Sequence, residues 1–67
     1  MKKYTADELF KIAHGHLQKK EFKKSAILFE KLLKDYPNNL SILLNISHSY
    51  AFSGDFEKAE RCIKKII

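Results

Sequence analysis

The chain has 67 residues, a formal net charge of +5 and 45% hydrophobic residues, a composition typical of one small globular domain. Its single cysteine, Cys62, excludes a disulfide within the chain and suits a reducing compartment. No apolar run approaches the length of a signal-peptide core or a membrane span, so we expect a cytoplasmic protein with no membrane partner.

The first predicted helix follows a capping box at Thr5-Ala-Asp-Glu8, in which each side chain accepts a hydrogen bond from the backbone N–H of the other residue. Apolar and small residues then recur at the spacing of one helical face: Leu9, Ile12, Ala13, His16 and Leu17. This pattern predicts an amphipathic helix whose core face includes His16.

A second helix is predicted from about Phe22 to Tyr36. Its apolar or small-residue stripe consists of Phe22, Ser25, Ala26, Phe29, Leu32, Leu33 and Tyr36. Pro37 disfavours helix at the residue before it, and Asn38-Asn39 supplies turn and cap chemistry for the next helix.

The third predicted helix runs from about Leu40 to Phe52, and the fourth from Phe56 to the end of the sequence. Between them, Gly54 suits the left-handed position that ends a helix, and Asp55 can cap the next one. The apolar faces of the two helices comprise Leu43, Ile46, Ser47 and Tyr50, then Ala59, Cys62, Ile63 and Ile66. Because nothing reads as a strand, the predicted fold class is all-α.

The sequence repeats with a period of 34 residues. Six positions are identical after this shift, pairing Leu9 with Leu43, Ile12 with Ile46, His14 with His48, Phe22 with Phe56, Lys24 with Lys58, and Lys31 with Lys65. A helix–turn–helix unit of this length resembles the tetratricopeptide repeat (TPR) family. The fuller match is in the second half, through Leu43, Ile46, Ser47, Tyr50, Gly54, Asp55, Phe56, Ala59 and Ile63.

The resemblance implies a right-handed α-solenoid of two repeats, with four antiparallel helices in one domain over residues 1–67. Repeat 1 spans about residues 6–39, and repeat 2 spans about 40–67 and is incomplete. Three residues depart from the family pattern. Lys20 replaces a glycine and would be strained by about 1–2 kcal/mol in a left-handed conformation. Ser25 replaces an alanine, so its hydroxyl needs a partner, and His16 replaces a tyrosine.

In this family, the first helix of each repeat lines a concave groove that binds protein segments. The resemblance therefore implies a protein–protein interaction module or scaffold that binds a peptide segment or helix. Its groove residues would be Phe10, Lys11, His14, Leu17, Gln18, Leu44, Asn45, His48 and Phe52. We expect Phe10, Leu17, Leu44 and Phe52 to anchor the partner; the alternative is that each simply packs between helices.

Two other functions stay open. The second repeat stops before its terminal proline, so Ile63, Ile66 and Ile67 are expected to form an open face through which copies could self-assemble, by two-fold contact or head to tail. The least favoured alternative is an electrostatic nucleic-acid binder that uses the lysines between Lys19 and Lys24. Since Arg61 is the sole arginine, we favour a solvated lysine face.

Catalytic and metal-binding patterns are missing from the sequence. It contains no His-Glu-x-x-His, no phosphate-binding glycine loop and no Cys-x-x-Cys. His14 and His48 occupy equivalent positions, where they could make groove binding sensitive to pH near neutrality. We therefore expect no enzymatic activity, no cofactor and no metal site.

Overall fold

A computed structural model describes residues 4–67, so the first three residues of the predicted 1–67 domain lie outside the described range. The described chain forms four α-helices, which are α1 (Ala6–Gln18), α2 (Phe22–Asp35), α3 (Leu40–Phe52) and α4 (Phe56–Ile66). No strand occurs between residues 4 and 67, which confirms the all-α prediction. The second helix ends one residue before the predicted Tyr36, whose φ of −131° is the extended value favoured before proline.

Side-chain caps start three of the four helices. The Thr5 hydroxyl accepts from the Glu8 N–H at 3.2 Å and the Glu8 carboxylate accepts from the Thr5 N–H at 3.0 Å, so the predicted capping box is confirmed. Asn39 caps α3 by accepting from the Ile42 N–H, and Asp55 caps α4 by accepting from the Lys58 N–H. These bonds satisfy N–H groups that have no partner within the helix.

The sequence period is also present in the backbone. Helices α1 and α3 begin 34 positions apart, as do α2 and α4. The turns between paired helices form the same hydrogen bonds, from Glu21 N–H to His16 C=O and from Asp55 N–H to Tyr50 C=O, each at 2.8 Å. Lys20 and Gly54 both have positive φ, at 65° and 91°. The two helix pairs therefore share one local structure, and Lys20 adopts the left-handed conformation in which a side chain is strained.

The helices pack in chain order. Each helix contacts the next one, and α1 also touches α3, whereas α1 and α4 make no contact in the described chain. The Cα extents of 34 × 25 × 15 Å describe a flat slab. This is an open arrangement, because its first and last helices do not close on each other.

The core lies between α2 and α3, where Phe29 and Ile46 are fully buried. Other buried apolar side chains are Ala13, Ala26, Leu32, Ile42, Leu43, Tyr50, Ala59 and Cys62. Three residues of the predicted apolar faces are instead more than a third exposed: Ile12 at 37%, Tyr36 at 47% and Ile63 at 45%. In the described chain no helix covers the side of α1 that carries Ile12, and Tyr36 lies just past the end of α2.

Candidate functional site

The predicted groove residues lie on α1 and α3, the first helices of the two pairs. Each helix carries a row with a spacing of four residues, so the members of a row share one face. The row on α1 is Phe10, His14 and Gln18, and the row on α3 is Leu44, His48 and Phe52. Because the helix pairs repeat and α1 touches α3, the two rows lie side by side on one surface of the slab.

The α3 row is the more exposed of the two. Leu44 is 47% exposed and Phe52 is 63% exposed, with His48 exposed between them. The Phe52 ring contacts the His48 ring edge-on at 6.2 Å and stacks on Phe22 of α2 at 5.0 Å. These four side chains, Leu44, His48, Phe52 and Phe22, form a continuous surface that we call the α3 strip.

Side chains on the groove side of α1 are more buried than those of the α3 row. The Phe10 ring packs edge-on against the buried Phe29 ring at 5.4 Å and stacks on His14 at 6.3 Å. Phe10, His14 and Leu17 are each half-buried. The alternative that a predicted groove residue packs between helices therefore applies in part to Phe10, because one side of its ring lies against the core and the other is in solvent.

The polar members of the predicted groove differ in availability. The Asn45 amide donates to the Ser41 carbonyl at 2.7 Å, so one of its donors is already used within α3. Lys11 and Gln18 are exposed on α1. Beside the α1 row, a cleft of about 420 Å³ opens where α1, α2 and α3 meet, lined by Ala6, Asp7, Phe10, Leu32, Tyr36, Asn39, Ser41 and Ile42.

Side-chain contacts that were not predicted from the sequence include the following three. The His16 ring donates through Nδ1 to the Glu21 carboxylate at 2.9 Å. His16 is half-buried, so its prediction as a core residue is not met. The Ser25 hydroxyl bonds to the Phe22 carbonyl at 2.8 Å and lies 2.8 Å from the Ser49 hydroxyl, so the partner that Ser25 needs is present. The third contact is the stacking of Phe22 on Phe52. The last two join α2 to α3, and a single-helix periodicity contains no signal for such a pairing.

The lysines between Lys19 and Lys24 all lie in solvent. Only Lys24 of this group forms an ion pair within residues 4–67, with the Glu21 carboxylate at 3.3 Å. Elsewhere, burial raises the pKa of the Cys62 thiol, which favours its unreactive neutral form. Burial and the hydrogen bond to Glu30 raise the pKa of Tyr50. No group of three or more metal-binding side chains occurs in the described part of the chain.

Acid is expected to weaken the fold through Glu21. Hydrogen bonds from His16 and then from Lys24 hold the pKa of this carboxyl below its ordinary value of 4.5. A carboxylate with a lowered pKa in the folded state contributes its full stability above the unfolded pKa, and the contribution is lost as the pH falls through the folded pKa. The melting temperature should therefore decrease as the pH falls below about 4.5.

The measurement is the melting temperature as a function of pH for the wild type and Glu21→Gln. The glutamine variant should show a flatter dependence in the acid range. Glu57→Gln is the matched control, because Glu57 forms no ion pair within residues 4–67. A Glu21→Gln profile parallel to that of the wild type would contradict the assignment.

None of the helices between residues 4 and 67 is long and apolar enough to cross a membrane. A scan against protein-family models, a search of curated proteins and a search of solved structures each found no match to this chain.

Proposed function

We propose that this chain is a protein–protein interaction module of the tetratricopeptide type, built as a right-handed α-solenoid of two helix–turn–helix repeats. Three features support the fold. The sequence period of 34 residues recurs in the helix bounds, the turn hydrogen bonds repeat with it, and the helices pack in chain order. Stacked helix pairs of this kind expose one extended surface made by their first helices, and such surfaces serve to bind partners.

The single observation that carries the function is the exposure of the α3 strip. Leu44 and Phe52 expose about half or more of their surfaces on one helix face, one on each side of His48. A single exposed apolar side chain is ordinary, but a contiguous group bordered by polar residues is typical of an interaction site. Here the borders are Lys11 and Gln18 on one side and the lysines near Phe22 on the other.

The proposed partner is a peptide segment or helix that places apolar side chains against Leu44 and Phe52. Phe10 supplies a fixed wall, because its ring is held against Phe29. Anchors that are already ordered lose little side-chain entropy on binding, and aromatic rings bury large areas with few torsions. His14 and His48 lie at equivalent positions beside these anchors.

The test selects peptides from a random displayed library against the protein and then measures their affinity for variants. The double variant Leu44→Glu/Phe52→Asp should weaken binding by at least about 30-fold, the effect of losing one interface hot spot. Ile27→Glu is the control, since Ile27 is 55% exposed on α2, outside the α3 strip. The groove mechanism would be wrong if the selected peptides bound the double variant as tightly as the control.

A further inference from the structure

Helix α4 presents a face that matches the face of α2 under α3 except that Glu60, ion-paired with Lys64 at 3.2 Å, replaces the buried Ala26. Within residues 4–67 no helix covers this face of α4. Shifted by the repeat period, the fully buried Phe29 corresponds to Ile63, which is 45% exposed. The half-buried Phe22 corresponds to Phe56, which is 70% exposed. Together with Ile67 at 96%, these side chains form an apolar face that we call the α4 face.

Helix α1 exposes residues whose counterparts on α3 are buried. On α3, Ile46 and Ser49 are fully buried, and both lie where α3 packs between its neighbours. The corresponding residues on α1 are Ile12, which is 37% exposed, and Gly15, which is also accessible. We call this side of α1, with Ile12 and Gly15 at its centre, the α1 face.

No contact within residues 4–67 explains why position 15 is a glycine. It lies in the interior of a helix, where glycine is less stable than alanine. A Cβ atom at this position would meet nothing within 4 Å among residues 4–67, so no neighbouring atom of the described chain requires a glycine there. A second helix that approaches closely from outside would require it.

The contact between α2 and α3 supplies the register for such an approach. These helices cross where the Ser25 and Ser49 hydroxyls lie 2.8 Å apart. Moving forward from Ser25 by one period gives Ala59, and moving back from Ser49 by one period gives Gly15. We propose that the α1 face of a second copy packs on the α4 face as α3 packs on α2, with Gly15 opposite Ala59.

At the crossing between copies, Ala59 and Gly15 stand where Ser25 and Ser49 stand inside the chain. The two serines inside the chain bury hydroxyl groups that hydrogen-bond to each other and to the backbone carbonyls of Phe22 and Asn45. At the crossing between copies, Ala59 is 4% exposed because side chains of its own chain already cover it, and neither Ala59 nor Gly15 carries a polar side-chain atom. A helix that crosses there therefore leaves no side-chain hydrogen-bonding group unsatisfied. Ile12 of the second copy would then lie against Ile63, in the way that Ile46 lies in the core beside Phe29.

The charges along α4 and along α1 of the second copy are complementary when the two helices run antiparallel. The contacts of Ser25 with Ser49 and Phe22 with Phe52 show that α2 and α3 run antiparallel. Helix α4 is acidic near its start and basic near its end, and α1 has the same order. Antiparallel docking in this register brings charges of opposite sign together at both ends, with Glu57 near Lys19 and Lys20, and Lys64 and Lys65 near Asp7 and Glu8. Glu60 falls opposite His14.

This contact joins two different surfaces, so each copy offers one α4 face and one α1 face. A heterologous contact of this kind continues head to tail, in contrast to a two-fold contact between two α4 faces, which closes at a dimer. The two arrangements are distinguished by α1, because only the head-to-tail contact uses it.

The test uses variants that block one face each, with mass measured by sedimentation equilibrium and helicity by circular dichroism. Gly15→Leu blocks the α1 face, and the open space at this position allows the helix to keep its fold. Phe56→Glu/Ile63→Glu blocks the α4 face at two exposed positions. The wild type should grow in mass with concentration, while each blocked variant should associate at least about 30-fold more weakly.

The decisive sample is the equimolar mixture of the two blocked variants. It should form a one-to-one dimer and nothing larger, because one intact α1 face and one intact α4 face remain. Ile12→Glu serves as a second block of the α1 face, and Ile27→Glu is the control, which should assemble like the wild type. A wild type that stays monomeric would overturn the proposal. It would also be overturned if Gly15→Leu and Ile12→Glu both assembled like the wild type, which would show two-fold contact of α4 faces.

Discussion

Replacing Phe29 by alanine is expected to unfold most of the molecules at room temperature. Phe29 is fully buried, and its ring supports Phe10 on α1. Removing a buried phenylalanine ring costs about 3–5 kcal/mol, through lost burial and the cavity left behind. A core of this size rarely supplies more than about 3–5 kcal/mol in total. The loss therefore matches the whole stability, and urea titration followed by circular dichroism should show little folded baseline.

Ile27→Ala is the matched control for this substitution. Ile27 lies on the same helix but is 55% exposed, so its truncation should change the free energy of unfolding by no more than about 0.5 kcal/mol. If the two variants unfolded at the same urea concentration, the packing of Phe29 at the centre of the core would be refuted.

Exchanging the residues at Lys20 and Gly54 should shift stability in opposite directions. Both residues end the first helix of a pair with positive φ, at 65° and 91°. A side chain in the left-handed region costs about 1–2 kcal/mol, so Gly54→Lys should destabilise the protein by about that amount. Lys20→Gly removes the same strain but adds freedom to the unfolded chain, which leaves a net gain of about 0.5–1 kcal/mol.

The two positions control for each other, because they lie in equivalent turns with the same hydrogen bonds. A Cβ at Gly54 would meet nothing within 4 Å, so crowding does not contribute to the expected loss. The free energies of unfolding of the two single variants, measured by urea titration, test this directly. Changes of the same sign would show that backbone strain is not the governing effect.

The elements that the sequence predicted well are those set by local chemistry. The capping box at Thr5 and the start of α3, which Asn39 caps, follow from side chains within four residues of the helix start. Each of these features depends on neighbours in the chain, so periodicity and cap residues are sufficient to predict it.

The features that escaped prediction depend on which helix covers which. Ile12 fits the apolar period of α1, yet it is exposed because in the described chain no helix packs on that side. The pairing of Ser25 with Ser49 joins residues far apart in sequence. The repeat period predicts that the groove lies on α1 and α3. It does not predict that Phe10 is less exposed than Phe52, because that difference comes from the ring of Phe29 beneath Phe10.

The packing of helices in chain order has a consequence for how the molecule folds. Because α1 and α4 do not touch, no long loop has to close before the core can form. The loss of chain entropy before the first favourable contacts is therefore small, and topologies dominated by local contacts fold on the microsecond to millisecond scale. Either helix pair can begin the process, and the interface between α2 and α3 is the step that joins them.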